Sequence, residues 1–167
     1  MTDFRRLLDA LCAGRVDFVI VGGFAGTLHG SAIPTRDLGV VYARDAANID
    51  RLVAALAPHR PYMRGAPPGL PFQWDSASVR AGLNFTLTTD LGALDLLGEI
   101  AGGGDYRALA PHAGRVTIFG ESCLCLGLEK LIEVKRAAGR PRDLQAVADL
   151  EALLEERSEN GPPRDGR

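Results

Sequence analysis

Residues 17–42 read DFVIVGGFAGTLHGSAIPTRDLGVVY, an order that predicts a strand, a Gly-Gly turn, a short helix and a second strand carrying a carboxylate. Phe18 to Val21 is apolar and β-branched, short enough for a buried strand, and it stops at Gly22-Gly23. Two glycines let the backbone come close to something else. The chain then turns into a helix, Phe24 to His29, so free N–H groups point out of the turn, a setting that suits a phosphate. Asp37 opens the next strand, Asp37 to Val41. Period-two alternation puts Asp37, Gly39 and Val41 on one face and Leu38 and Val40 on the other. A Gly-rich turn facing a strand carboxylate is the least that holding a metal-bound nucleoside triphosphate requires. A Gly-Gly turn alone reads equally well as a tight strand-to-helix connection.

Two later segments carry further charged residues into apolar surroundings. Asn84 to Thr88 and Ala93 to Leu97, separated by Thr89-Asp90-Leu91-Gly92, predict an antiparallel hairpin. Asp95 lies inside its second strand, and a carboxylate there is costly to bury without a partner, so it must face a cation, a metal or a polar cleft. A structural ion pair is the plain alternative. In the helix Leu128 to Ala138 the apolar face of Leu128, Leu131 and Ile132 continues at Lys135, which therefore points inward. Gly139 closes that helix and Pro141 suits the first turn of the next, where Asp143, Val147, Leu150 and Leu154 align. Pairing of Lys135 with Asp143 is the simplest account of both.

The rest of the chain reads as scaffold. Thr2 to Ala13 and Ala46 to Ala57 are amphipathic helices, the second capped by Asp45. Pro58 to Gly82 holds five of the ten prolines and predicts a long ordered loop whose Tyr62, Phe72 and Trp74 either stack on a ring or anchor the loop to the core. Gly98 to Gly104 reads as a flexible exit, Asp105 to Leu109 as a short helix, and Arg115 to Phe119 with Ser122 to Leu126 as strands. Residues 1–157 are expected to form one domain, and the polar tail 158–167 to be disordered.

Composition narrows the class. With 46% hydrophobic and 24% charged residues and a formal charge of −2, the chain has an ordinary globular make-up that argues against general nucleic-acid coating. No apolar run approaches a membrane span, and the first residues lack a secretory pattern, so a cytoplasmic location is expected. The three cysteines, Cys12, Cys123 and Cys125, lack the spacing of a structural zinc site and read as small hydrophobes in a reduced core.

Val21-Gly22-Gly23, thirteen intervening residues, Asp37 on a strand and Asp95 on a later strand resemble the nucleotidyltransferase superfamily of polymerase-β type, and among its small bacterial members the abortive-infection toxin-like proteins. Thr35-Arg36-Asp37-Leu38, Asn84 to Thr88, Leu94 to Gly98 and Lys135 to Leu144 extend the likeness over nearly all of residues 2–156. The resemblance implies an α/β (α+β) fold, a mixed β-sheet flanked by helices. It also implies Mg2+ as cofactor, with transfer of a nucleoside monophosphate from a triphosphate to a hydroxyl on a small molecule, a protein or an RNA end. Carried onto this chain, Asp37 and Asp95 would bind metal and act in catalysis, with Asp95 receiving the nucleophile's proton. Gly22, Gly23 and Arg36 would bind nucleotide, and Lys135 would both bind nucleotide and serve catalysis as a triphosphate counter-charge. An antitoxin or a second copy of the chain is an implied partner; a membrane is not.

One position departs from the family pattern. The acidic pair two residues apart on this strand is here Asp37 and Gly39, so one carboxylate is missing from the face where Asp37 points. Weaker metal binding and a rate loss of roughly a hundredfold or more are expected. Glu99, on the face of Asp95 if the strand continues, is a candidate substitute. The alternative is a non-catalytic member of the fold that binds a nucleotide or a partner; a purely structural module with ion-paired carboxylates is a third reading.

Overall fold

The computed structural model describes residues 1–160. In chain order the elements are α1 (Phe4–Ala13), β1 (Phe18–Val21), α2 (Gly22–Leu28), β2 (Asp37–Tyr42), α3 (Ala46–Leu56), β3 (Tyr62–Met63), α4 (Ser76–Ala81), β4 (Phe85–Thr89) and β5 (Gly92–Leu97). They continue with β6 (Glu99–Ile100), β7 (Gly104–Asp105), α5 (Tyr106–Leu109), β8 (Ala113–Ile118), β9 (Glu121–Leu126), α6 (Leu128–Ala138) and α7 (Pro141–Glu159). Seven strands make one mixed sheet in the order β3-β4-β5-β2-β1-β9-β8, and β6 pairs with β7 in a separate ribbon. The expected α/β architecture, a mixed sheet with helices, is therefore present.

The central strands are apolar on both sides of the pleat where helices cover them. Val19, Ile20, Leu38, Val40, Leu94 and Leu96 are all fully buried. β1 runs antiparallel to β2 and parallel to β9, while β2 runs parallel to β5. Around this sheet the helices start where short polar side chains can cap them. Asp3 accepts from Arg6 N at 3.0 Å, Asp45 from Asn48 N at 3.1 Å and Asp75 from Ser78 N at 2.7 Å. Asn48 is fully buried yet satisfied: its Nδ2 donates to Ala43 O at 2.7 Å and Asp17 O at 3.1 Å, and its Oδ1 accepts from Asp17 N at 2.7 Å. That tie fixes α3 against the start of β1.

The first residues are stitched to the far hairpin. Asp3 N donates to Leu91 O at 2.7 Å, Ala93 N donates to Thr2 Oγ1 at 3.1 Å, and Thr2 Oγ1 also donates to the Arg36 carbonyl. A Cβ on Gly92, which has φ of +115°, would lie 2.5 Å from Thr2 Cα.

Three expectations need correction. The segment 58–82 is not one long loop. It contains a 3-10 turn (Ala57–His59), β3 and α4, because Asp75 supplies a cap and Tyr62 and Met63 pair with Thr88 and Leu87. Glu99 leaves the main sheet, since β5 ends at Leu97 and Glu99 pairs with Asp105 in the small ribbon. The carboxyl-terminal helix continues through Glu159, two residues into the segment expected to be disordered; residues 161–167 lie outside the described residues.

Candidate functional site

β2 is the shared member of the two pairings that build the site. Antiparallel to it, β1 brings Val21 opposite Gly39; parallel to it, β5 brings Asp95 opposite Gly39. Residues paired in register share a face, so Asp37, Gly39 and Asp95 all project to one side of the sheet. Gly22 and Gly23 follow immediately after Val21 at the same end of the strands, not as a separate turn before a helix at Phe24 but as the first two residues of α2.

Asp37 and Asp95 are both half-buried on this shared face. Burial pushes the Asp95 carboxyl up to about 6, and the hydrogen bond and charge of Asp37 push the same way against the opposing pull of Arg64.

Lys135 projects from α6 and is half-buried, in keeping with the apolar stripe it continues. Burial holds its ammonium below the usual lysine range, while the charges of Asp143 and Asp37 pull it back up. Lys135 therefore feels Asp37 electrostatically. Its expected pairing with Asp143 is not what forms: Asp143 accepts from Arg140 Nε at 2.6 Å and caps α7 through Arg140 N at 3.3 Å. Burial raises the Asp143 carboxyl, but the Arg140 hydrogen bond and charge, with Lys135 adding, leave it below the usual range. Arg36 is exposed next to Asp37.

The two glycines have different reasons. Gly22 has φ of +71° and open space where a Cβ would be, whereas a Cβ on Gly23 would lie 2.7 Å from Thr35 Oγ1. Gly23 is thus required by packing of the chain on itself. Gly22 leaves its backbone open to an approaching group. The aromatic side chains of segment 58–82 act as anchors: Tyr62 meets Phe72 edge-on at 5.8 Å, and Trp74 Nε1 donates to Val53 O at 3.0 Å.

Arg64 is the site residue that sequence reasoning missed. Its Nη2 lies 3.0 Å from Asp95 Oδ1 and donates to Leu87 O at 2.7 Å. The demand for a cation at Asp95 was legible; the supplier was not, because Arg64 lies in a proline-rich stretch with no periodicity and arrives through a two-residue strand. The only local signal is the β-prone Tyr62-Met63 just before it.

Among the described residues no group of three or more His, Cys, Asp or Glu side chains gathers as a metal cluster. Two aspartates supply carboxylates for one divalent cation and not two, and Arg64 Nη2 already stands 3.0 Å from Asp95 Oδ1. A Cβ on Gly39 would sit 3.5 Å from Val21 O and 3.7 Å from Val21 Cγ2, ordinary contacts, and its φ is not left-handed. The backbone therefore accepts a carboxylate at position 39. A cavity of about 360 Å3 lies at the opposite end of β1, lined by Cys12, Asp17, Tyr106, Arg115 and Cys123 among others, away from these residues.

No protein-family model matches the chain, and no curated protein matches its sequence. Solved structures do. The lincosamide antibiotic adenylyltransferase LnuA, in its lincomycin-bound form, superposes with a TM-score of 0.58 at 14% identity, covering 91% of this chain and 98% of that one. An antigenic nucleotidyltransferase-like protein from Paracoccidioides brasiliensis gives a TM-score of 0.56 at 17% identity over 91% of this chain and 73% of that one. The chain has the nucleotidyltransferase fold. At these identities the likeness is one of architecture, and in that nucleotidyltransferase fold the Asp37 and Asp95 strands lie side by side at the sheet's centre. Among the described residues, no helix is long and apolar enough to cross a membrane.

Proposed function

We propose that this protein binds a nucleoside triphosphate at the notch between Asp37, Asp95 and Gly22-Gly23 at the start of α2, and transfers its nucleoside monophosphate to a hydroxyl acceptor at a rate lowered by Gly39. The observation that carries the reading is the register of β2 and β5, which sets Asp95 beside Gly39 and on the face of Asp37. Asp37 and Asp95 would hold one Mg2+, whose chemistry is to neutralise phosphate charge and acidify the attacking hydroxyl.

The chain's own groups do the rest. The open backbone at Gly22 gives phosphate a close approach, and Lys135 and Arg36 supply positive charge for the triphosphate. Asp95, with its carboxyl raised to about 6, is a stronger base than an ordinary aspartate yet stays largely ionised at neutral pH, which suits it to take the hydroxyl proton. The whole-length likeness to an adenylyltransferase with a small antibiotic bound favours a small-molecule hydroxyl among the candidate acceptors. The reading places the protein in the cytoplasm, where triphosphates and Mg2+ are supplied.

A second reading, a nucleotide- or partner-binding protein without transfer, is favoured by one observation, the absence of a carboxylate at position 39. Incubation of the native protein and Gly39→Asp with α-labelled triphosphates, Mg2+ and a panel of small hydroxyl acceptors separates the two. The enzyme reading expects transfer by Gly39→Asp at about a hundredfold the native rate or more. Calorimetry that finds triphosphate binding to both proteins, with transfer by neither, supports the binding reading. Absence of both transfer and Mg2+-dependent triphosphate binding from Gly39→Asp overturns the proposal.

A further inference from the structure

Arg64 reaches Asp95 from the neighbouring strands, held by its backbone N–H to Thr86 O at 3.0 Å and by Nη2 to Leu87 O at 2.7 Å. Its Nη2 stands 3.0 Å from Asp95 Oδ1, with the two side chains only 32% and 25% exposed. The pair has this one close approach, and Arg64 Nε is buried without a hydrogen-bond partner. Structural Arg–Asp pairs are commonly two-pronged, with two parallel N–H···O bonds. Here Nη2 is shared between the Leu87 carbonyl and Asp95, so the guanidinium neutralises Asp95 without clamping it in a two-pronged pair.

The charges of the notch show what that does. Asp37 and Asp95 are matched by Arg64 and Lys135, so the four groups sum to zero with no metal counted. A divalent cation on Asp95 Oδ1 would then meet a guanidinium at close range, a repulsion that low-dielectric surroundings magnify. Resting on the reading of Asp37 and Asp95 as cation ligands, we propose that Arg64 is an internal competitor for Asp95 Oδ1, a built-in counter-cation that a divalent ion must displace in order to bind. Gly39 sharpens the effect, because the carboxylate that would tip the balance toward the metal is the one this chain lacks.

Mn2+ binding, read from the electron paramagnetic resonance signal of the free ion, tests this on the full chain without reference to turnover. Arg64→Met is expected to bind Mn2+ at least about tenfold more tightly than the native protein. Arg64→Lys, which keeps the charge, is expected to return most of the way to native affinity. Arg64→Gln, which retains an N–H for the Leu87 carbonyl, carries the same expectation as Arg64→Met and replaces it if circular dichroism shows that variant to be unfolded. The same comparison in a Gly39→Asp background decides the matter if native affinity is too weak to measure. Failure of Gly39→Asp to bind Mn2+ brings down the metal-ligand reading itself. Binding by Gly39→Asp that is no tighter after Arg64→Met or Arg64→Gln is added brings down the role of Arg64 alone.

Discussion

Asp95 stands directly beside Gly39 in the parallel pairing of β2 with β5. A side chain introduced at position 39 therefore projects about one strand spacing, ~4.8 Å, from the base of Asp95 and on its face. The glycine is not there for backbone reasons, since its conformation suits any residue and its surroundings leave room for a Cβ.

Gly39→Asp is accordingly expected to fold and to make stability depend on metal. In a chelator the third carboxylate repels Asp37 and Asp95 and lowers stability by about 1–3 kcal/mol. Mg2+ at a hundred times its dissociation constant returns about 2.7 kcal/mol. Thermal unfolding with and without Mg2+ reads both effects, and a melting curve indifferent to the ion contradicts them.

Asp95 gives a pH dependence of defined sign. Its carboxyl is raised to about 6 in the folded chain, chiefly by burial and then by Asp37, against about 3.9 when unfolded. The folded state thus holds the proton more tightly. The associated stability is complete below about pH 4 and is lost as pH rises through about 6. Denaturant titrations of the native protein and Asp95→Asn should diverge across that window, with the variant gaining relative to the native by ~1–3 kcal/mol from pH 4 to pH 7. Parallel curves would show that Asp95 titrates normally.

Asp143 is a structural residue by this account. It is 4% exposed and holds the start of α7 through Arg140. Replacing it with alanine should cost about 1–3 kcal/mol in urea unfolding. A cost near zero would mean that the cap contributes nothing.

The thiols should be inert until the chain unfolds. Burial, foremost, pushes Cys12 and Cys125 up to about 12 and raises Cys123 as well. At pH 7.5 Cys12 and Cys125 should alkylate about a thousandfold more slowly than an exposed cysteine, since the thiolate is the reactive form. Labelling counted by mass spectrometry, before and after urea, checks this; fast modification of any native thiol contradicts it.

Residues 17–42 were legible because everything that shapes them is local: a β-branched run, two glycines, and an alternation that puts Asp37 and Gly39 on one face. Lys135 was legible for the same reason, one step along a helical stripe. The pairing of β2 with β5 was not, because it joins segments more than fifty residues apart and depends on the whole sheet order. Glu99 shows the limit of alternation: the period places it beneath Asp95, but the chain bends at Gly98, where a Cβ would lie 2.3 Å from Leu83 Cδ1, and carries it away. Helix α4 was hidden by its length of six residues, although Asp75 and Ser78 offered a cap.

The stitching of Thr2 and Asp3 to Leu91, Ala93 and the Arg36 carbonyl has a practical side. Those two residues fasten the outset of both carboxylate-bearing strands, much as a paperclip holds two sheets at one corner. A bulky fusion partner joined rigidly at the amino end would pull on that corner and shift Asp37 against Asp95. Assay proteins are therefore better tethered through the other end of the chain.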